Sequence, residues 1–257
     1  MQTLMDILTH DMLGPMMAVG LIVLAGFTSF ITAAFGAGGG LLLLVVMASV
    51  MPMSAVIPVH GLVQLGSNAN RMLFTLKHID VSMLLYFSAG GIVGALCASL
   101  LVTQLPLELM KLVVGIFVLY LLWGATPSIR ETSKLGRAIA GAITTFLSMF
   151  VGASGPMVGS FMYLNGYEKL RFTATFSSCM TLQHCLKAFV YAAIGFAFWQ
   201  WLPLIIAMVA SGALGTWLGI KLLKKLPTEK FKLIFRVILS LLCVKLIWQA
   251  TIQWLYP

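Results

Sequence analysis

Seven apolar runs, 14–35, 54–75, 83–103, 109–127, 171–197, 203–223 and 232–256, fill most of this chain with short polar joints between them. Each is near the ~20 residues of helix that cross ~30 Å of hydrocarbon. Of the 257 residues 60% are hydrophobic and only 9% are Asp, Glu, Lys or Arg, whereas a soluble domain carries roughly 25% charged residues to cover itself with water-facing groups. Side chains this apolar cannot all be hidden in one globule. The chain reads as an all-α polytopic membrane protein whose solvent is the lipid bilayer. Its formal charge of +9, from 16 basic against 7 acidic residues, would suggest nucleic acid in a soluble protein. Here the basic residues sit in short loops between apolar runs, so they point to membrane topology and no nucleic-acid partner is expected.

Three further apolar runs, 38–51, 138–151 and 155–165, are shorter. At ~1.5 Å per residue they reach only ~17–21 Å, too little for a full crossing. Segment 138–165 therefore reads as one hairpin folded at Gly152-Ala153-Ser154-Gly155-Pro156. Segment 14–51 is a longer counterpart folded at Gly36-Ala37-Gly38-Gly39-Gly40.

The chain also repeats itself. Leu105-Pro106-Leu107-Glu108-Leu109-Met110-Lys111-Leu112 recurs 121 residues later as Leu226-Pro227-Thr228-Glu229-Lys230-Phe231-Lys232-Leu233, and Gly91 and Gly94 match Gly212 and Gly215 at the same spacing. At a spacing of 116, Gly36-Ala37 matches Gly152-Ala153 and Gly39 matches Gly155; the difference falls where the second half carries an extra Phe196–Trp201 stretch. Two homologous membrane repeats, 14–127 and 138–256, joined by a cytoplasmic linker at 128–137, together make one transmembrane domain. Each repeat is a glycine-tipped helical hairpin followed by three transmembrane helices.

Charge orients the halves. The basic clusters are Arg71-Lys77-His78, Arg130-Lys134-Arg137, Lys169-Arg171 and Lys221 through Lys232. All four fit in the cytoplasm with an even number of crossings between neighbours, which puts both termini outside the cell membrane. Corresponding loops then differ in charge, so the halves are expected to face opposite ways. Such inverted-topology repeats are associated with alternating-access transporters.

The glycine tips are where chemistry is expected. Hairpins entering from opposite sides would bring Gly36–Gly40 and Gly152–Pro156 together near the midplane, where irregular backbone survives only against protein or a water-filled cavity. Each tip starts a helix, with Ser154 suited to cap the second and Pro156 to its first position. Two helix N-termini aimed at one place present free N–H groups and partial positive charge to an anion. Glycines can also serve only to bring membrane helices close.

The helix after each tip adds a polar stripe. His60, Gln64, Asn68 and Arg71 share one face, as do Ser177, Thr181, His184 and Lys187, and at the 116 spacing Asn68 aligns with His184 and Arg71 with Lys187. Polar groups inside a bilayer usually face a pathway or a partner. Arg71 lies in a last turn, where snorkelling to the cytoplasmic interface competes with a role in the site. The substrate-binding set is thus Gly36, Gly38, Gly39, Gly40, Gln64, Asn68, Arg71, Gly152, Ser154, Gly155, Pro156, Thr181, His184 and Lys187. No cofactor or metal is called for, and a homodimer stays open.

Phe-Gly-Ala-Gly-Gly-Gly at 35–40, the Asn68/Arg71 region running into Ile79-Asp80, and Gly-Ala-Ser-Gly-Pro at 152–156 resemble the sulfite exporter (TauE/SafE) family of membrane permeases. The resemblance covers nearly the whole chain through both repeats. It implies transport of a small, often sulfur-containing anion such as sulfite or an organosulfonate. Two other classes stay in view. An intramembrane enzyme acting on a lipid-linked phosphate would need acidic or nucleophilic side chains at the tips, and only Ser154 stands there. An anion channel is the other alternative.

Overall fold

The computed structural model describes residues 13–35, 38–102, 106–124, 133–152, 154–164, 166–222 and 228–255. Every regular element among them is helical: α1 (Pro15–Phe35), α2 (Gly39–Val50), α3 (Met53–Thr75), α4 (Val81–Ser99), α5 (Leu107–Trp123), α6 (Lys134–Val151), α7 (Gly155–Leu164), α8 (Lys169–Ala193), α9 (Leu202–Leu222) and α10 (Thr228–Leu255). Short 3-10 turns at Leu76–His78 and Phe198–Trp201 precede α4 and α9.

Local chemistry sets the boundaries. Asp80 caps α4 by accepting from the Met83 N–H at 3.0 Å, and Ser133 caps α6 by accepting from Gly136 at 3.0 Å. The Ser133 cap starts α6 four residues before its apolar run, because Lys134 and Arg137 fill a first turn that hydropathy overlooks. Gly152 ends α6 in the left-handed region at φ 81°, and Gly38 leads into α2 at φ 103°, conformations that glycine adopts without a Cβ penalty. The run expected to extend to 197 stops at Ala193, because Gly195 takes φ 91° and turns the chain toward Phe198–Trp201.

Five segments, Pro15–Ala34, Val81–Ser99, Lys134–Val151, Phe198–Lys221 and Arg236–Leu255, are long and apolar enough to cross a membrane. Their outer faces carry large exposed apolar side chains such as Val23, Phe27, Leu96, Ile206, Leu241 and Trp248, as lipid-facing helices require. Helices α3 and α8, of 23 and 25 residues, are the polar ones and lie inside. His60, Ser67, Asn68 and Arg71 of α3 and Ser177, Gln183, His184 and Lys187 of α8 are all buried. The bundle keeps these polar groups inside and turns large apolar side chains to its outer face as well as its core.

Packing follows a reciprocal scheme. Helix α1 packs on α9 and α6 on α4, α3 packs on α8, and α5 on α10. The first helix of each half thus meets the fourth of the other, the third meets the third, and the fifth the fifth. Small residues make the close crossings: Gly94 lies on the Ala142 backbone and Gly215 on that of Gly26, while Gly91 faces the Thr145 hydroxyl and Gly212 the Ser29 hydroxyl. These contacts are partners at the sequence spacings of 121 and 116. The scheme is compatible with two inverted halves.

The two ends of the α3–α8 pair differ. At one end Asp80 Oδ2 accepts from Arg171 at 2.8 Å and from the Tyr167 hydroxyl at 2.7 Å, and the Asp80 N–H donates to Thr175 Oγ1. Arg137 donates to Ser82 nearby, so the basic residues around 77, 137 and 171 gather at this end. At the other end the joint is apolar. Phe196, Phe198 and buried Trp201 join the core that holds Met51 and Met53.

Candidate functional site

The site forms where both glycine tips meet the middle of α3 and α8. At the first tip Gly39 presses its Cα face against α1, where a Cβ would collide with the Thr28 carbonyl and the Thr32 hydroxyl. The next carbonyl, of Gly40, accepts from His60 Nε2 at 2.9 Å. A carbonyl can only accept, so the His60 proton resides on Nε2.

The second tip is held differently. Lys187 Nζ donates to the Gly152 carbonyl at 3.1 Å, and the lysine is fully buried with its stem against Gly61 of α3. The Ser154 hydroxyl donates to Gln183 Oε1, while the Ser154 carbonyl accepts from the Met157 and Val158 N–H groups at the start of α7. The amide nitrogen of Gln183 in turn donates to Thr145 Oγ1 at 3.0 Å and Thr144 Oγ1 at 3.3 Å. The first half has the partner of this contact: Ser29 and Ser67 share a hydrogen bond at 3.3 Å, and they precede Thr145 and Gln183 by 116 residues.

Between the tips lies a cavity of about 50 Å³. At ~10–15 Å³ per water on that measure, it holds a few waters or one small polyatomic ion. The first half lines it with Thr32, Gly38, Gly40, Leu41, His60, Gln64, Asn68 and Arg71, and the second with Gly152, Gly155, Pro156, Phe176, Met180 and His184. Arg71 is 4% exposed, which overturns the snorkelling alternative. Its Nη2 donates to Asn68 Oδ1 at 2.7 Å and its Nε to the Ser67 carbonyl at 3.4 Å. Asn68 is itself aimed by its own donation to the Gln64 carbonyl at 2.8 Å. The guanidinium is therefore held on α3 with its charge bordering the cavity. His184 stands across from His60, ring edge to face at 6.4 Å, and its Nδ1 has no hydrogen-bond partner among the described residues.

Of the residues expected from sequence, Gly38, Gly40, Gln64, Asn68, Arg71, Gly152, Gly155, Pro156 and His184 border one cavity. Gly39, Ser154 and Lys187 support its walls instead of facing it. Thr181 turns its hydroxyl back to the Ser177 carbonyl and stays out of the lining. Gly36 lies outside the described residues. The lining residues Thr32, Leu41, Phe176 and Met180 and the supporting Thr144, Thr145 and Gln183 were not anticipated. One signal could have found some of them: Thr28, Ser29 and Thr32 reappear 116 residues on as Thr144, Thr145 and Ser148.

A family model described as sulfite exporter TauE/SafE matches residues 21–246. No curated protein and no solved structure matches the chain.

Proposed function

The chain belongs to the sulfite exporter TauE/SafE family of membrane transporters, and we propose that it carries a small sulfur-containing anion, such as sulfite or an organosulfonate, through the cavity between its glycine tips. The buried Arg71 at the cavity wall carries this reading. A guanidinium cannot shed its charge, and an unpaired charge inside a membrane protein costs several kcal/mol. Among the described residues no carboxylate lines the cavity to answer it: Asp80, Glu108, Glu168 and Glu229 each stand at or beside a helix start. A bound anion supplies the missing counter-charge. The starts of α2 and α7, at Gly39 and Gly155, add N–H groups of the same polarity beside the cavity.

Transport proceeds by alternating access between the inverted halves at a site near the membrane midplane. The Asp80–Arg171 contact and the aromatic joint at Phe196–Trp201 lie at opposite ends of α8 and are placed to open in turn. The protein resides in the plasma or inner membrane. The enzyme alternative loses its one nucleophile, because the proton of Ser154 goes to an amide oxygen and not to a base. Purified protein in proteoliposomes tests the reading against a channel. Sulfite or methanesulfonate on one side should accelerate labelled flux from the other, as a carrier does; flux that ignores the opposite side would indicate a channel.

A further inference from the structure

We propose that Lys187 takes up a proton each time the cavity binds its anion, so that this lysine couples transport to protons. The inference rests on the anion-transport reading above and adds the coupling ion and its carrier.

Lys187 is one of the largest fully buried side chains, and its ammonium donates to the carbonyl of Gly152, a residue that borders the cavity. It stands 116 residues after Arg71, at the matching place in the second half. The groups around it are all neutral or positive. From α3 comes His60, from its own helix His184, which the charge of Arg71 also reaches, and from the end of α6 only backbone carbonyls, that of Met149 being taken by Tyr191. Within the described spans of α3, α4, α6, α7, α8 and α9 there is no Asp or Glu; Asp80 precedes α4 and is paired with Arg171 at the far end of α8.

Two buried cations, neither with a carboxylate to answer it, form a costly arrangement, since each lacks a counter-charge. One must yield when the cavity is empty. Arginine keeps its proton in proteins, whereas a lysine gives it up readily when buried. The empty site thus holds charged Arg71 and neutral Lys187. An arriving anion supplies the negative charge that makes the ammonium favourable again, and the proton comes from water. Reciprocity then requires that protonation tighten anion binding by the same factor. Neutral Lys187 keeps one N–H for the Gly152 carbonyl, so the tip stays tied in both states.

Calorimetry on the purified full chain, in buffers of differing ionisation enthalpy, counts protons taken up per anion. The probes are methanesulfonate, ionised throughout the range used, and sulfite, whose own protonation is subtracted. Wild type should take up about one proton per anion on the alkaline side, with affinity falling up to about tenfold per pH unit there. Lys187→Arg, permanently charged, and Lys187→Met, permanently neutral, should each bind with no such uptake and with a flat pH profile. Proton-free binding by wild type across about pH 6 to 9, or undiminished uptake in either variant, would overturn the proposal. Uptake surviving in Lys187→Arg would point to His60 or His184 instead. Wild type that binds neither probe would count against the anion reading itself, and if both Lys187 variants fail to fold, the same count in His60→Gln and His184→Gln decides: uptake kept in both leaves Lys187 as the carrier, and uptake lost in either overturns the proposal.

Discussion

Arg171 donates to Asp80 across 2.8 Å, and this ion pair ties the joint after α3 in the first half to the start of α8 in the second. The carboxylate is nearly buried while the guanidinium is 58% exposed. Burial raises the Asp80 pKa, but hydrogen bonds from the Met83 N–H, Tyr167 and Arg171 outweigh it and hold the carboxyl below its usual range. Burial and the neighbouring carboxylate push the Tyr167 phenol up, so it remains a donor at every physiological pH.

A carboxyl with a lowered folded-state pKa contributes stability above its unfolded value and loses it as pH falls through the folded one. Thermal stability in detergent should therefore decline below about pH 4, and Asp80→Asn should flatten part of that decline. At neutral pH the variant should lose about 1–2 kcal/mol, since the exposed Arg171 contributes little beyond the Tyr167 bond. An unchanged acid limb in Asp80→Asn would show that the pair does not govern it.

The glycine tips should respond unequally to a methyl group. A Cβ at Gly39 strikes the Thr28 carbonyl, so Gly39→Ala should destabilise the fold by several kcal/mol. A Cβ at Gly155 meets only Phe176 at 3.7 Å and Met180 at 4.0 Å, which is ordinary contact. Gly155→Ala should fold normally, whereas Gly155→Leu fills the cavity and should abolish transport without unfolding the protein. Melting curves of the three variants, set beside their flux, make the comparison.

The polar support under the second tip should be as sensitive as the tip. Gln183 joins Ser154 to Thr144 and Thr145 in a buried site. Gln183→Leu leaves the Ser154 and Thr145 hydroxyls buried without their amide, at about 1–3 kcal/mol each, while Thr144 keeps its bond to the Ala140 carbonyl. Its melting temperature should fall well below that of Thr181→Val, whose hydroxyl only bonds its own helix.

Much of this was legible in the sequence. Apolar run length located the helices to within a few residues, and the glycine spacing of 116 anticipated two tips that share one cavity. Side-chain direction was not legible. Arg71 and Lys187 occupy matched positions, yet Arg71 borders the cavity while Lys187 turns back to the Gly152 carbonyl. Periodicity places a residue on a face of a helix, but the rotamer of a long side chain depends on neighbours that only the packed bundle provides. Thr144 and Thr145 were overlooked because single hydroxyls within an apolar run barely lower its hydropathy.

We propose that the end where the basic residues around 77, 137 and 171 gather is the cytoplasmic one. With that end cytoplasmic, a cysteine replacing Ser133, in a background lacking the native four, should react with an impermeant thiol reagent only after the membrane is opened. Ready labelling from outside intact cells would reverse the assignment.

Arg71 decides the central claim that the cavity holds an anion. A unit charge 4 Å away is worth about 4 kcal/mol at an effective dielectric near 20, before desolvation is subtracted. Arg71→Gln keeps hydrogen-bonding capacity and deletes the charge. Arg236→Gln is the control, because Arg236 is exposed and stacks on Trp123 away from the cavity. Sulfite and methanesulfonate binding to both purified variants is the most direct measurement. The account predicts at least about tenfold weaker binding for Arg71→Gln and less than about twofold change for Arg236→Gln. Equal affinity in the two variants, or binding of cations with every offered anion ignored, would contradict it.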